Sequence, residues 1–409
     1  MSRTEAAVAR VALAPAMADR AARRVVAALA ADGTQVRFVG GCVRDALLGR
    51  DVADIDLATP DPPERVIALL EQAKLKAVPT GLKHGTVTAV ADGRPFEVTT
   101  LRLDVATDGR HAEVAFTDDW MADAARRDFT MNAMSLAPDG ALYDYFGGRE
   151  DLAAGRVRFV GDARQRIAED YLRVLRFFRF LAHYGRAGPD AEAVAACREA
   201  AGRLGRLSAE RVRTELLKLL AAPNPVPALT VMREIGVLAA VLPEAGELTR
   251  LLTLAGIDDR DPVRRLAALL DDGGKEVARR LRMSNAEIAR LAALAPPVRR
   301  LDPVMTVADQ RQALYKVGAG RFRDLVLLGW AGDRERRAED WRSMLETANA
   351  WENPKLPLKG ADVVAMGVPK GPEVGRVVAA VQSWWRGEDF RPDRKACLER
   401  ARELVDGSG

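Results

Sequence analysis

The feature that most constrains this chain is the stretch 38–59, which reads FVGGCVRDALLGRDVADIDLAT. An apolar pair leads into Gly40 and Gly41, and the residues that follow have the pattern of one or two helical turns. Residues 54–57, Asp-Ile-Asp-Leu, then alternate polar and apolar side chains as a half-buried strand does. The stretch therefore predicts a strand, a glycine turn, a short helix and a second strand.

Asp54 and Asp56 are the candidate catalytic residues. Alternate side chains of a strand share a face, so the two carboxylates point together and can hold a divalent cation. Such an ion stabilises the attacking and leaving oxygens of an in-line displacement. Gly40 and Gly41 let the backbone approach phosphate oxygens, and Arg44 follows at a helix start that favours an anion. The alternative is a glycine turn beside a solvated Asp pair.

A second β signal covers residues 85–102, GTVTAVADGRPFEVTTLR. β-branched residues alternate on both sides of Asp92-Gly93, which predicts a tight hairpin. The hairpin would return Glu97 to the sheet. There the side chain is either a third catalytic carboxylate, as metal ligand or as base for an attacking hydroxyl, or an exposed residue of a strand face.

Three further segments give weaker signals. Residues 5–32 have apolar positions at helical spacing and predict one or two helices broken by Pro15. Residues 60–76 predict a helix that opens at consecutive prolines. Residues 104–119 are polar and follow neither period, so we expect a functional or mobile loop.

Residues 126–133, Arg-Arg-Asp-Phe-Thr-Met-Asn-Ala, gather basic, acidic and amide groups around small apolar side chains. Arg127 offers a guanidinium fork to a triphosphate, while Asp128 and Asn132 can hold ribose hydroxyls. We therefore predict that these three residues bind a nucleotide. The alternative is an ordinary helix start with its capping residues.

Residues 167–181, IAEDYLRVLRFFRFL, predict an amphipathic helix. Asp170, Arg173 and Arg176 lie three residues apart, so on such a helix they share a face and are candidates for nucleotide binding. Glu169 can also pair with Arg173 at i,i+4 spacing. A salt-bridged helix surface is therefore the alternative interpretation.

The chain length and the distribution of charge favour an enzyme that acts on a nucleic acid. The 409 residues suffice for two to four domains. Residues 1–150 hold 18 Lys and Arg against 22 Asp and Glu, a net of −4, whereas residues 151–218 hold 14 against 9, a net of +5. An acidic front joined to a basic helical stretch suits a metal-dependent enzyme with an RNA or DNA substrate.

Cellular location is predicted from what the sequence lacks. The three cysteines are widely spaced and no apolar run reaches membrane-spanning length, so we expect a cytoplasmic protein. The Arg- and Ala-rich start can mimic a transit peptide.

Together these motifs resemble the class II tRNA nucleotidyltransferases, the CCA-adding enzymes, whose relatives include bacterial poly(A) polymerases. Gly-Gly followed by Asp-x-Asp is also the nucleotidyltransferase pattern of the DNA polymerase β superfamily. The resemblance covers about residues 30–245, and its motifs lie at residues 40–56, 126–133, 144–160, 169–173 and 210–220. Residues 358–375 resemble the tail of many members less specifically.

The resemblance implies an α/β nucleotidyltransferase head of the DNA polymerase β type, followed by an all-α neck, body and tail. We expect the head at residues 1–150, the neck with its nucleotide-selecting helix at 151–225, the body at 226–300 and the tRNA-binding tail at 301–409. The best boundary signal in the sequence is the Pro-rich break at residues 222–225.

The resemblance also implies Mg²⁺ as cofactor, CTP and ATP as substrates, and tRNA, held by its acceptor and T arms, as partner. It assigns Arg127, Asp128 and Asn132 to the ribose and triphosphate, and Asp170 and Arg173 to the base. In this family a flexible loop at residues 104–119 is needed for the final A, and enzymes that add only CC have it shortened. The unshortened segment here favours complete CCA addition.

Base selection by Asp170 and Arg173 also has a physical basis. Cytosine and adenine each present an amine donor beside a ring-nitrogen acceptor, whereas uracil and guanine present a carbonyl beside an N–H. An Asp acceptor beside an Arg donor therefore accepts C or A and opposes U or G. The alternatives are a poly(A) polymerase, a CC-only or A-only enzyme, or an RNA-binding protein with an inactive head. The last is disfavoured because both Asp54 and Asp56 are present.

Overall fold

The computed structural model describes residues 6–107, 112–295, 301–333, 335 and 337–407. The chain divides into two compact units. The first comprises the described residues of Met1–Ala245 with Arg280–Arg282, and the second those of Gly246–Arg279 with Met283–Gly409. The finer division into head, neck, body and tail stays a prediction.

The first unit contains a mixed eight-stranded sheet with the order β1-β10-β9-β2-β3-β6-β5-β4, among the described residues. A separate ribbon is formed by β7 and β8. The strands are β1 (Ala9–Arg10), β2 (Arg37–Val39), β3 (Asp56–Thr59), β4 (Lys76–Gly81), β5 (Thr86–Ala91), β6 (Arg94–Thr100), β7 (Arg102–Thr107), β8 (Ala112–Phe116), β9 (Ser135–Leu136) and β10 (Ala141–Tyr143). Only β3 and β6 pair in parallel within this sheet.

Helices pack on the sheet and then continue the first unit. They are α1 (Arg20–Leu29), α2 (Gly41–Leu47), α3 (Pro63–Gln72), α4 (Trp120–Ala125), α5 (Gly148–Ala154), α6 (Ala163–Glu169), α7 (Leu172–Tyr184), α8 (Ala191–Ala200), α9 (Ala209–Leu220), α10 (Val226–Glu234) and α11 (Val237–Val241). Short 3₁₀ helices cover Leu82–His84, Thr130–Asn132 and Ala201–Arg206. The expected fold, an α/β head followed by helices, is confirmed.

The second unit is helical throughout its described residues. Its helices are α12 (Thr249–Ala255), α13 (Pro262–Leu269), α14 (Gly274–Arg280), α15 (Asn285–Leu294), α16 (Val307–Val317), α17 (Ala319–Gly332), α18 (Ala338–Asn349), α19 (Gly360–Ala365), α20 (Pro372–Gly387) and α21 (Arg394–Asp406). Two apolar clusters form around Trp341 and around Trp385. Arg265 is fully buried and donates to the equally buried Asp258, so an ion pair is part of this interior.

The hairpin of β5 and β6 forms where the alternation predicts it. Asp92 and Gly93 both have positive φ, +49° and +78°, as a two-residue type I′ turn requires. β3 then pairs with β6 in a register that places Asp56 opposite Glu97. This pairing brings the Asp-x-Asp motif and the third acidic residue to one part of the sheet.

Four predicted segments differ from the structure. In the described residues 6–32, α1 agrees with the prediction of one or two helices, but the edge strand β1 was not predicted. Helix α3 ends at Gln72, and β4 begins at Lys76. Residues 102–107 and 112–116 pair as the β7–β8 ribbon, so the expectation of a loop was wrong there. Residues 108–111 lie outside the described residues. Pairing with a second strand stabilises each of these strands, which a local pattern does not reveal.

The fourth difference concerns Asp170. The predicted continuous helix over 167–181 is two helices, α6 and α7, separated at Asp170 and Tyr171. Asp170 is extended, with φ −155° and ψ 107°. Its carboxylate accepts a hydrogen bond from the Leu172 amide (3.1 Å), so the side chain holds the start of α7. Asp170 therefore does not share a helical face with Arg173 and Arg176.

Candidate active site

The glycine turn, Asp56 and Arg127 meet at the start of α2. Gly40 has φ +72°, a conformation that other residues adopt rarely. A Cβ added at Gly40 would lie 3.2 Å from Arg127 Nη1 and 3.9 Å from Asp56 Oδ2. At Gly41, which is the first residue of α2, it would lie 3.5 Å from Arg44 Nη2. Because the two glycines have no Cβ, Asp56, Arg127 and Arg44 can approach the backbone of the turn closely.

Asp54, Asp56 and Glu97 form an acidic group at the edge of this turn. Asp56 begins β3 and is half-buried, whereas Asp54 precedes the strand and is exposed, as is Glu97. Burial and then the charge of Glu97 raise the pKa of Asp56 to about 6; Asp54 adds to the rise and Arg127 opposes it. The group therefore carries uncompensated negative charge when all three carboxylates are ionised.

This acidic group fits a divalent cation. Its donors are carboxylate oxygens, and a cation would relieve the repulsion that raises the pKa of Asp56. The described residues contain no set of three or more His, Cys, Asp or Glu side chains that could hold a metal ion alone. Ions that bind triphosphates take one or two carboxylates and complete their shell with phosphate oxygens, so Asp54 and Asp56 are the residues that could hold one.

Arg127 is held in place by Asp123, which the sequence interpretation missed. Asp123 is buried in α4, and its carboxylate accepts from Arg127 Nη2 (3.1 Å) and Arg126 Nη2 (2.8 Å). Burial alone would raise the pKa of Asp123, but the two guanidiniums hold it below its ordinary value. The i,i+3 and i,i+4 spacing to the two arginines was the signal in the sequence.

Arg44, Asn132, Asp128 and Arg176 form one hydrogen-bonded chain. Arg44 Nη1 donates to Asn132 Oδ1 (2.8 Å), and Asn132 Nδ2 donates to Asp128 Oδ1 (3.1 Å). Arg176 Nε donates to Asp128 Oδ2 (2.7 Å). Burial would raise the pKa of Asp128, but Arg176 and the bond from Asn132 keep it low. All four residues were predicted to bind a nucleotide, and the fold brings them together.

This hydrogen-bonded series also contacts α7 at its Arg44 end. Asp45 accepts from Arg44 Nε (3.0 Å) and Nη2 (2.8 Å) and from the Tyr184 hydroxyl (3.2 Å). The Arg44 guanidinium also lies 4.4 Å from the centre of the Tyr184 ring. Because Arg176 and Tyr184 both belong to α7, this helix holds the hydrogen-bonded chain of predicted nucleotide-binding residues at two points. No local pattern pointed to Tyr184.

Asp170 and Arg173 are each fixed by other groups. Asp170 Oδ2 accepts from Arg211 Nη2 (2.6 Å), a residue of α9. Arg173 Nη1 donates to the Arg166 carbonyl (2.8 Å) and to the Glu169 carboxylate. The i,i+4 ion pair of the alternative interpretation is therefore present. Asp170 and Arg173 can still bind a base, because a carboxylate has about four acceptor sites and a guanidinium has five donors.

Fold and site together define a nucleotidyltransferase. Residues 36–158 match the family model described as "Poly A polymerase head domain", and residues 189–248 match "Probable RNA and SrmB- binding site of polymerase A". The acidic group, the glycine turn and the chain from Arg44 to Arg176 lie within or directly beside the head match.

Relatives over nearly the full length identify the family. The chain is 35% identical over 385 residues to the mitochondrial CCA tRNA nucleotidyltransferase 1 of Danio rerio, covering 89% of this chain and 86% of the relative. It is 31% identical to the CCA-adding enzyme of Leuconostoc citreum, with 91% and 93% covered. The structure of the Bacillus stearothermophilus CCA-adding enzyme in complex with CTP matches with a TM-score of 0.77, 29% identity and coverage of 97% and 99%. The chain belongs to the CCA tRNA nucleotidyltransferases, the CCA-adding enzymes.

Proposed function

We propose that this chain adds C, C and A in turn to the 3′ end of tRNA, using CTP and ATP and releasing pyrophosphate at each step. The observation that carries this is that one compact unit holds both the glycine turn beside Asp56 and the fixed residues Asp170 and Arg173. The relatives named for CCA addition over most of the chain favour this reaction over poly(A) synthesis.

In the chemical step, the 3′ hydroxyl oxygen of tRNA attacks the α-phosphorus of the nucleotide and the bond to pyrophosphate breaks. The Gly40–Gly41 turn lets the triphosphate approach the backbone, and Arg44 and Arg127 supply positive charge to it. Asp54 and Asp56 would hold Mg²⁺, which when bound offsets charge on both the attacking and the leaving oxygen. Glu97, opposite Asp56, is the proposed acceptor of the hydroxyl proton.

Base selection uses the fixed geometry of Asp170 and Arg173. Asp170, held by Arg211, accepts from the amine of cytosine or adenine. Arg173 donates to cytosine N3 or adenine N1, while its remaining bonds to Arg166 and Glu169 prevent it from turning away. Arg176 contributes to nucleotide binding through Asp128, since its guanidinium is committed to that carboxylate.

The tRNA-binding region and the cellular compartment are also part of this proposal. We place the acceptor and T arms of tRNA on the helical part of the chain, with the tail at residues 301–409. No helix in the described residues is long and apolar enough to cross a membrane. The cytoplasm is the proposed compartment, although the Danio rerio relative is named as mitochondrial.

Complete CCA addition is proposed to depend on the β7–β8 ribbon. Replacing residues 105–113 with a two-residue turn keeps the strand pairs nearest the sheet and removes the tip. We expect CC addition to persist and A addition to slow by about tenfold or more, equivalent to about 1.4 kcal/mol in the barrier. Single-turnover rates on tRNA ending before and after CC measure this, and an equal loss of both activities would show that the ribbon is structural.

The reaction itself is tested with purified protein and tRNA that lacks CCA. CTP alone should extend the tRNA by two residues, ATP alone by none, and both together by three. Extension by many A residues would indicate a poly(A) polymerase, and arrest after CC or activity only on tRNA ending in CC would indicate a partial enzyme. RNA binding without any extension would indicate an inactive head.

A further inference from the structure

A cavity of about 200 Å³ lies beside α2, α7 and α9. Its polar lining consists of Arg44, Arg179, His183, Tyr184 and Lys218. His183 and Arg173 both belong to α7 and are ten residues apart, which corresponds to about 15 Å along a helix axis. The cavity is therefore too far from Arg173 to hold the same base.

Positive charge exceeds negative charge around this cavity. Asp45 pairs with Arg44, and Glu215 lies 2.7 Å from Arg179 and 3.9 Å from Arg176. Asp128, which is paired with Arg176, also acts on Arg179. Glu215 is thus shared between two guanidiniums. The exposed Lys218 has no carboxylate within ion-pair distance among the described residues.

The titration of two cavity groups reflects this excess. Burial lowers the pKa of Arg179, and the charges of Arg176 and Arg44 act in the same direction against the pull of Glu215. Burial also lowers the pKa of His183, with Arg179, Arg50 and Arg44 adding to it. An anion in the cavity would relieve the repulsion among these cations.

The donors around the cavity are already oriented. His183 Nε2 lies 2.8 Å from the Lys218 carbonyl, which joins α7 to α9. Arg179 forms an ion pair with Glu215, with Nε 2.7 Å from a carboxylate oxygen, and its guanidinium lies 4.6 Å from the centre of the Phe180 ring. Lys218 adds an ammonium with three donors on a flexible stem. Arginine forks and a lysine around a small cavity are a donor set for phosphate oxygens.

We propose that this cavity binds a phosphate group of the substrates, either a phosphodiester of the tRNA strand or the triphosphate of the incoming nucleotide. The assignment rests on the proposed function for its substrates, but the site is defined by Arg44, Arg179 and Lys218. These residues serve as anion-binding groups irrespective of the base that is added.

Lys218 offers a clean test, because its structural contact uses the backbone carbonyl and not the side chain. Lys218→Glu reverses one charge at the cavity and should leave the His183 contact intact. Lys218→Ala removes the charge only. The matched control is Lys76→Glu, which makes the same charge change at an exposed residue of the edge strand β4.

Michaelis constants for tRNA and for CTP, measured over a range of salt concentrations, distinguish the two sources of phosphate. A phosphodiester contact predicts a several-fold rise in the KM for tRNA with Lys218→Glu, an unchanged KM for CTP, and a salt slope reduced by about 0.7–0.9 with Lys218→Ala. A triphosphate contact predicts the rise in the KM for CTP and weaker inhibition by pyrophosphate. If the KM values of Lys218→Glu equal those of Lys76→Glu for both substrates, the proposed site is rejected.

Equilibrium binding tests this site independently of the proposed reaction. If the protein fails to extend tRNA, the affinities of the Lys218 and Lys76 variants for tRNA lacking CCA and for pyrophosphate still report on the cavity. Weaker binding by Lys218→Glu than by Lys76→Glu would then support the site although CCA addition had failed. Equal affinities would reject it.

Discussion

The acidic group of Asp54, Asp56 and Glu97 differs in its charge balance from Asp170 and Arg173, the residues proposed to select the base. Asp56 is surrounded by two like charges, Glu97 and Asp54, and by one cation, Arg127, which is already paired with Asp123 at 3.1 Å. By contrast, Asp170 and Arg173 are each matched by an opposite charge, from Arg211 and Glu169.

This difference separates two tasks. A divalent cation bound with the triphosphate would offset the unbalanced carboxylates, so we expect the electrostatics of the head to become favourable as the reaction complex forms. Matched charges gain little from a ligand, but they hold each side chain in one orientation, which hydrogen-bond recognition of a base requires. Variants of Asp54 and Asp56 should therefore change the rate, and variants of Asp170 and Arg173 should change selectivity.

The largest effect is expected in the acidic group. Asp56→Asn or Asp54→Asn removes a proposed metal ligand without changing side-chain size, so the rate of nucleotide transfer should fall by orders of magnitude because several kcal/mol of charge stabilisation are lost. Single-turnover kinetics measure the rate, and gel shifts should show intact tRNA binding. Glu64→Gln, at an exposed carboxylate of α3, is the control. Near-normal transfer by both variants would show that the acidic group is not catalytic.

The second-largest effect is expected on base selectivity. Arg173→Ala should weaken CTP and ATP together, and Asp170→Ala should admit UTP and GTP, since a lost or mismatched hydrogen bond costs about 1–3 kcal/mol, or roughly ten- to a hundredfold. Values of kcat/KM for all four nucleotides measure the ratio. Arg164→Ala breaks an exposed ion pair with Glu199 and serves as the control. If the ratio of C and A to U and G stayed constant in both variants, the pair would be structural.

Tyr184→Phe probes how α7 holds the nucleotide-binding chain. It removes the bond to Asp45 but keeps the ring against Arg44. The KM for CTP and for ATP should rise together by about twofold to tenfold, the equivalent of one net hydrogen bond, with no change in base preference. Tyr315→Phe, which loses a bond from Gln382 in the second unit, is the matched control.

A double-mutant cycle completes this test. In an Asp45→Asn background, Tyr184→Phe should have no further effect on KM if the hydroxyl acts through Asp45. Additive effects would mean that Tyr184 acts by another route.

The smallest expected effect belongs to Arg211, whose bond to Asp170 is partly exposed. Arg211→Gln should relax discrimination against UTP and GTP by about twofold to fivefold, in keeping with an ion pair near the surface. In an Asp170→Ala background it should change discrimination no further. Arg213→Gln, two residues along α9, is the control, and a similar loss of discrimination in that variant would assign the effect to the helix.

Local sequence determined the elements whose geometry depends on neighbouring residues. Asp92 and Gly93 specify the hairpin because both must adopt positive φ, and Gly40 specifies the turn before α2 for the same reason. The predicted catalytic pair and the predicted nucleotide-binding residues of 126–133 could also be named from the sequence, since each set lies within a few residues.

Tertiary structure alone decided the partners. The parallel pairing that sets Glu97 beside Asp56 joins residues from separate segments, as do the bonds from Tyr184 to Asp45 and from Arg211 to Asp170. The break at Asp170 was also unforeseen, because the apolar period continues through it. Periodicity reports which residues face the core, but it carries no information on which distant side chain satisfies a buried donor or charge. That choice is made only when the elements pack.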